Sequence, residues 1–133
     1  MKTLFEKLKL EHQKEILIIN EPDGFAEQLA ALVDIEIYQS LIQVNKMEFA
    51  LVFVSTIKEL ENQVHTLHPK LKGDVVLWVA HPRKKSETLT TDITDDYDWH
   101  PLLNHRYEAV KNVKINNDWE AIRFRRSEYH KMS

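Results

Sequence analysis

Apolar residues form three continuous segments along the chain, and the segments between them have other, more polar patterns. The apolar segments are residues 15–20, 49–54 and 74–80. Apolar runs of this length with polar boundaries indicate strands that are buried on both faces of a sheet. Residues 34–39 alternate between apolar and polar positions, which predicts a strand that is less buried.

Two segments between these strands have the apolar spacing of amphipathic helices. Residues 24–33 form the first, with apolar side chains as far as Val33 on one face. The second helix begins at Thr56, because Thr56 and Glu59 have the spacing of a capping box. Pro69 disfavours helical geometry at the preceding residue, so this helix is expected to end at residue 68.

The two ends of the chain carry shorter signals. Leu4, Leu8 and Leu10 predict one or two helical turns at the start. A run of potential capping residues predicts a third helix over residues 95–107, which Pro101 bends or restarts. Two alternating segments on either side of a turn at residues 116–118 predict a closing β-hairpin.

This order of elements predicts a single domain over residues 1–133 with an α/β fold. Buried strands that alternate with amphipathic helices form a mostly parallel sheet, and right-handed crossovers place helices on both of its faces. We therefore expect a three-layer, Rossmann-like fold with about six strands that ends in an antiparallel hairpin. This is the arrangement of the methyltransferase variant of that fold, with the last strand between the third buried strand and its hairpin partner.

The composition excludes several classes of site. The chain has 133 residues, no cysteine and two glycines, Gly24 and Gly73. Without cysteine there is no disulfide, thiolate metal site or cysteine nucleophile. The two glycines are too far apart for a phosphate-binding P-loop, and a GxGxxG turn needs three. A formal net charge of −3 provides no overall attraction for nucleic acid.

The N-terminal residues and the apolar segments indicate where the protein is expected to reside. No apolar run is long enough to cross a bilayer, and the first fifteen residues are interrupted by charges. We therefore expect a cytoplasmic protein with no membrane partner.

Three segments resemble an uncharacterised bacterial family of short, stand-alone Rossmann-like proteins, a domain of unknown function. They are residues 77–94, 18–25 and 116–126. The first contains the family's LWVA-x-P-K-K-x-S and T-D-L-T pattern, with Arg83 inserted and with His81 where an aromatic residue is expected. The resemblance covers nearly the whole chain, and it implies the fold without implying an activity.

Candidate binding residues follow the first and third buried strands. Ligands of open α/β sheets bind outside the carboxyl ends of the strands, where the strand order reverses. The candidates are Asn20, Asp23, Gly24, His81, Arg83, Lys84 and Lys85. The three consecutive basic residues predict a small anionic ligand. A solvated basic loop that pairs with Glu87 and Asp92 is the alternative.

The turn after the first strand is unsuited to the usual cofactors of this fold. It contains one glycine, whereas both nucleotide cofactors and S-adenosylmethionine need several for close approach to the backbone. Pro22 has no backbone donor, and Glu21 and Asp23 would repel a phosphate. We therefore expect no cofactor.

Other clusters predict neither a metal site nor a catalytic residue. Acids from Asp92 to Asp98 have no glycine among them and are better explained as helix caps than as a calcium loop. His65 and His68 are one helical turn apart but have no evident third ligand. Ser86 could be grouped with His81 and Asp92, but no nucleophile elbow surrounds it. The three tryptophans are expected to pack in the core.

Three functional hypotheses remain open. The first is a non-enzymatic domain that binds a small anionic ligand or a protein partner. The second is a reduced methyltransferase-like enzyme, or an enzyme that acts on an anionic substrate. The third is a nucleic-acid-binding regulator that uses Arg83–Lys85 and Arg123–Arg126, although nucleic acid is not the expected partner. Residues 34–39 are expected at a sheet edge, where they either pair in a homodimer or are capped by residues 41–46.

Overall fold

A computed structural model describes residues 4–44, 46–94 and 96–130, which form six strands and five short or medium helices. The strands are β1 Glu15–Ile19, β2 Glu36–Tyr38, β3 Met47–Phe53, β4 Leu71–Pro82, β5 Tyr107–Lys114 and β6 Trp119–Arg126. The helices are α1 Leu4–Lys7, α2 Ala26–Ala30, α3 Ile57–Leu67, α4 His100–Leu103 and α5 Ser127–His130, with 3-10 turns at Leu41–Gln43 and His68–Lys70.

All six strands belong to one sheet, in the order β2-β1-β3-β4-β6-β5. Strands β1 to β4 are parallel to one another, whereas β6 lies between β4 and β5 and is antiparallel to both. This confirms the predicted fold class and the position of the last strand. Strand β2 is an edge strand, as expected, and its pairing with a second copy stays a prediction.

Each face of the sheet has its own hydrophobic core, because the central strands bury successive side chains on opposite sides. One face is covered by α3 and α4 and the other by α1 and α2. The α3 face buries Leu17, Val52, Val79 and Phe124 against Leu60, Val64 and Leu102. The α1 face buries Ile18, Leu51 and Trp78 against Phe5 and Phe25. These are the three layers that the sequence predicts.

The helix between β1 and β2 is shorter than predicted. Only Ala26–Ala30 is helical, instead of residues 24–33, and the side chain of Val33 is 76% exposed. The residue before the helix, Phe25, provides no side-chain cap and is buried instead. The prediction was wrong for Val33, because the chain leaves the helix before that residue can face the sheet.

Helix α3 has the start that its sequence predicts. The Thr56 hydroxyl accepts a hydrogen bond from the Glu59 amide at 3.1 Å, and the Glu59 carboxylate accepts one from the Ser55 amide at 2.7 Å. These bonds satisfy amides that have no partner within the helix. The α-helix ends at Leu67, and a 3-10 turn that contains Pro69 follows.

The predicted helix over residues 95–107 was wrong in length. The structure has only His100–Leu103, and Asp95 lies outside the described residues. Trp99, immediately before the helix, has a left-handed backbone with φ 58°, which separates α4 from the preceding segment. Pro101 lies in the first turn of α4, where a missing amide costs no hydrogen bond.

Strand β4 begins before Gly73 rather than after it, which corrects the predicted boundary. The strand starts at Leu71, and Gly73 lies inside it with φ 55°. Pairing with β3 shifts from Met47–Leu71 to Phe49–Val76, so β4 contains extra residues at this point. The bulge explains the glycine, because a positive φ strains other residues.

Among the residues that the structure describes, no helix is long and apolar enough to cross a membrane.

Candidate ligand-binding cleft

A cleft of about 860 Å³ opens at the carboxyl end of β4. One wall is the loop of residues 82–86, called here the basic loop, and the other is residues 88–94, called here the strap. The lining residues are His81, Pro82, Arg83, Lys84, Lys85, Ser86, Leu89, Thr90, Thr91, Ile93, Thr94, Asp96 and Glu120. The cleft therefore combines three basic side chains, two acids and an apolar wall.

His81 and Glu120 lie opposite each other on β4 and β6 at the floor of this cleft. The His81 Nδ1 atom is 3.0 Å from the Pro82 carbonyl oxygen, which can only accept, so this contact requires a proton on Nδ1. The other ring nitrogen, Nε2, is 3.4 Å from Glu120 Oε1 and buried, and no described residue forms a hydrogen bond with it. His81 therefore offers an unused polar atom at the cleft floor.

Trp99 packs beside His81 on the same face of the sheet. Its ring centroid is 5.6 Å from that of His81, 5.3 Å from that of Phe124 and 5.2 Å from that of Tyr97. Burial, followed by the charges of Glu61 and two aspartates, raises the pKa of Tyr97 to about 12. The phenol therefore stays protonated at neutral pH.

Asp118, in the turn between β5 and β6, organises the basic loop. Its carboxylate oxygen Oδ1 accepts hydrogen bonds from the Ser86 hydroxyl at 2.7 Å and from the Thr88 hydroxyl at 3.0 Å. The amide of Arg83 donates to the Asp118 carbonyl oxygen at 2.7 Å, and its guanidinium donates to the Asn117 carbonyl oxygen at 3.2 Å. These bonds tie the loop to the turn between β5 and β6, and its pairing with Glu87 and Asp92 stays a prediction.

The strap crosses the carboxyl end of β3 and the start of α3. The Thr91 hydroxyl donates to the Ser55 carbonyl oxygen at 2.7 Å, and Asp92 Oδ1 accepts a bond from the Ile57 amide at 2.8 Å. Ile93 is 4% exposed and packs into the core of the α3 face. The N-terminus of α3, which attracts anions in many proteins, is therefore occupied by a carboxylate of the chain itself.

The structure brings four of the seven candidate residues together. His81, Arg83, Lys84 and Lys85 line the cleft, whereas Asn20, Asp23 and Gly24 do not. The grouping of Ser86, His81 and Asp92 does not form, because Asp118 holds Ser86 and Asp92 caps α3. The acids of this region do act as caps, since Asp98 also accepts a bond from the His100 amide at 3.0 Å.

The turn after β1 does not fit a cofactor of the S-adenosylmethionine or nucleotide type. Phe25 donates its amide to the Pro22 carbonyl oxygen at 3.1 Å, and Gly24 has φ 90°, as in a type II turn. A Cβ on Gly24 would meet nothing within 4 Å, so the positive φ of the turn, and not crowding by the protein, requires this glycine. Glu21 faces the end of β2, where its Oε1 accepts a bond from Gln39 at 2.9 Å.

The second basic segment lies away from the cleft. Arg125 binds both carboxylate oxygens of Asp74 at 2.9 and 2.7 Å, near the start of β4. Arg126 donates to the Tyr107 hydroxyl at 3.2 Å. Arg125 and Arg126 therefore bind groups of the chain itself, and an interaction of this segment with nucleic acid stays a prediction.

Within the described ranges, no three metal-ligating side chains are grouped closely enough to hold an ion. His68 instead stacks on His105, with ring centroids 3.7 Å apart and an angle of 19° between the rings. Burial lowers the pKa of His68, and the neighbouring His105, His65 and Arg126 lower it further.

Sequence reasoning did not identify Glu120, Asp118 or Trp99 as part of the site. Glu120 becomes a partner of His81 only through the pairing of β4 with β6. The sequence predicts that Asp118 lies in the hairpin turn. Its contact with Ser86 was not predicted, because that contact depends on tertiary structure. Nothing in the sequence around Trp99 predicts that its backbone is left-handed.

No protein-family model and no curated protein matches this chain at a significant level. Its fold is similar to that of a solved structure of a putative type 11 methyltransferase from Sulfolobus solfataricus, with a TM-score of 0.53 and 8% identity, covering 92% of this chain and 89% of the other. It is also similar to a chain of the fibrillarin/Nop5p complex, with a TM-score of 0.53 and 9% identity, covering 88% of this chain and 74% of the other. At these identities the likeness establishes a methyltransferase-like Rossmann fold.

Proposed function

We propose that the protein is a reduced methyltransferase-like domain that binds a small anionic molecule in the cleft at the carboxyl end of β4. The observation that supports this proposal is His81, which lines the cleft and whose buried Nε2 atom has no hydrogen-bond partner among the described residues. A buried polar atom without a partner carries a desolvation cost that a ligand would remove.

The basic side chains that line the cleft, Arg83, Lys84 and Lys85, favour an oxyanion on the ligand. Lys85 is exposed at the rim of the cleft, and Glu120 lies 3.4 Å from His81 with a side chain that is 34% exposed. A protonated His81 donates Nδ1–H to Pro82 and can donate Nε2–H to a ligand oxygen.

The apolar wall of the cleft indicates the rest of the ligand. Leu89 and Ile93 of the strap line the side opposite the basic loop. An apolar wall with a few polar groups is typical of sites for small organic molecules. We therefore propose a small organic acid, bound with its charged group at His81 and its apolar part against the strap.

Native mass spectrometry of freshly purified protein tests this proposal. We expect a small acid to copurify with the wild-type chain, and to be lost in Lys85→Gln and in His81→Gln. Lys111→Gln is the matched control, because Lys111 is exposed on β5 and does not line the cleft. A wild-type protein without a bound molecule, or variants that retain it fully, would contradict the proposal.

An enzyme that acts on an anionic substrate is the second candidate, and the pairing of His81 with Glu120 favours it. A histidine with one nitrogen fixed by a carbonyl and the other facing a cleft is placed to accept or donate a proton. Incubation of the copurified molecule with the protein tests this. Conversion by the wild type that is lost in His81→Ala supports catalysis, and no conversion removes this candidate.

Titration calorimetry with S-adenosylmethionine distinguishes both proposals from the hypothesis that the chain is an ordinary methyltransferase. We expect no saturable binding of S-adenosylmethionine at the turn after β1. This turn has one glycine, Pro22 has no backbone N–H to donate, and the Glu21 carboxylate accepts a hydrogen bond from Gln39. Saturable binding together with turnover would show that the chain is a methyltransferase and that our interpretation of this turn is wrong.

A further inference from the structure

We propose that a second cavity, at the amino edge of the sheet, is a binding site for a small oxyanion, either a carboxylate or a phosphate, held by Arg123. The cavity has a volume of about 360 Å³ and lies between β4, β6 and the segment before β1. Its lining residues are Lys9, Glu11, His12, Gln13, Glu48, Gly73, Asp74, Val76 and Arg123.

Arg123 has a partly buried guanidinium whose burial the charges of Asp74 and Glu11 offset only in part. Its Nε atom is buried, and no described residue accepts a hydrogen bond from it. The nearest suitable acid is Asp74, but Arg125 already binds both of its carboxylate oxygens. Burial, and then repulsion by Arg125, lower the pKa of Arg123, although an arginine remains charged in any protein.

The neighbours of Arg123 in the sheet supply no anion either. It lies opposite Trp78 of β4 and Lys111 of β5. The Trp78 indole donates its only N–H to the Leu8 carbonyl oxygen at 2.7 Å. A charged group that is partly removed from water costs free energy unless it is paired, so the missing partner is expected from outside the chain.

Three acids line this cavity, Glu11, Glu48 and Asp74, and Asp74 is bound by Arg125. Glu11 and Glu48 are exposed to solvent, where water and salt weaken their repulsion of an anion. Lys9 and His12 line the wall that faces Arg123. A guanidinium forms two parallel hydrogen bonds with a carboxylate or phosphate, and a cavity of this size accommodates a small ion of either kind.

This site is independent of the cleft at His81. Arg123 lies opposite Trp78 on the α1 face of the sheet, whereas His81 contacts Trp99 on the α3 face. The two sites share no lining residue among those described. Loss of binding at one is therefore expected to leave the other unchanged.

NMR titration of the amide and arginine Nε–H signals tests the site, with sodium phosphate and sodium malonate as separate probes at constant ionic strength. We expect a saturable shift at Gly73, Asp74 and the Arg123 Nε–H with at least one probe. The probe that saturates distinguishes a phosphate site from a carboxylate site. Arg123→Gln is expected to weaken binding at least tenfold, whereas Lys85→Gln, which removes a positive charge outside this cavity, is expected to stay within twofold of the wild type.

The proposal is overturned if neither probe gives a saturable shift, or if Arg123→Gln shifts like the wild type. Arg123→Lys keeps the charge but lacks the planar fork, so an intermediate affinity is expected. If a variant does not fold, the melting temperature of the wild type decides: it rises with the concentration of a bound probe and stays constant in matched sodium chloride.

Discussion

The hydroxyl of Ser86 donates a hydrogen bond of 2.7 Å to the carboxylate of Asp118, 32 residues later in the chain. The same oxygen also accepts a bond from Thr88, and Ser86 Oγ accepts one from the Leu89 amide at 3.1 Å. One carboxylate in a hairpin turn thus holds the basic loop at the edge of the cleft.

Asp118→Ala is expected to loosen this loop without unfolding the domain. Two hydrogen bonds to a charged acceptor are lost at a partly exposed position, so we expect a destabilisation of about 1–2 kcal/mol. Hydrogen exchange at the Leu89 amide is expected to accelerate, and urea unfolding measures the change in stability. Glu87→Ala removes an exposed acid of the same region and serves as the control. Equal effects of the two variants would contradict the role of Asp118.

The start of α3 gives a prediction about the strap. Asp92→Ala removes the carboxylate that accepts a bond from the Ile57 amide, and Thr56→Ala removes the cap of the Glu59 amide. Each is expected to lower the free energy of unfolding by about 1 kcal/mol, a typical value for a helix cap. Urea unfolding provides the measurement, with Asp96→Ala as the control. An unchanged Asp92→Ala protein would show that the strap does not stabilise α3.

The stacked pair of His68 and His105 predicts a loss of stability in weak acid. Burial keeps the pKa of folded His68 below its ordinary value of 6.5, so the unfolded chain binds more protons below that pH. Stability is therefore greatest above about pH 6.5 and falls as the pH decreases through the folded pKa. Urea unfolding between pH 5 and 8 measures this slope. His68→Gln is expected to have a shallower slope, and an identical slope would show that His68 does not contribute.

Local signals in the sequence were enough to predict the sheet and some of its connections. Continuous apolar runs predict the buried strands, because a strand that is covered on both faces has apolar side chains on both. The turn between β5 and β6 was also predicted. In the structure, Asn116 Oδ1 accepts hydrogen bonds from the amides of Asp118 and Trp119 at 2.8 and 2.9 Å. Such asparagine turns depend only on neighbouring residues.

The parts that sequence reasoning missed depend on distant residues. Aspartate is a common helix-capping residue, but the amide that Asp92 binds, that of Ile57, lies 35 residues earlier in the chain. The predicted helix over residues 95–107 failed for the same reason, because tertiary contacts rather than local preference decide the path of this segment. His81 was identified as a cleft residue, but its partner Glu120 follows only from the register of β4 with β6.

Gly24 gives a final prediction, which separates a turn glycine from a cofactor glycine. Its φ of 90° strains other residues, while a Cβ would meet nothing within 4 Å. Gly24→Ala is therefore expected to lower the free energy of unfolding by about 1–2 kcal/mol through the backbone alone. Gly24→Asn is expected to cost less, because asparagine tolerates a positive φ better. Both variants are expected to retain the molecule that copurifies with the wild type. If they lose it while remaining folded, the turn after β1 contacts the ligand, and the cleft at His81 is not the whole site.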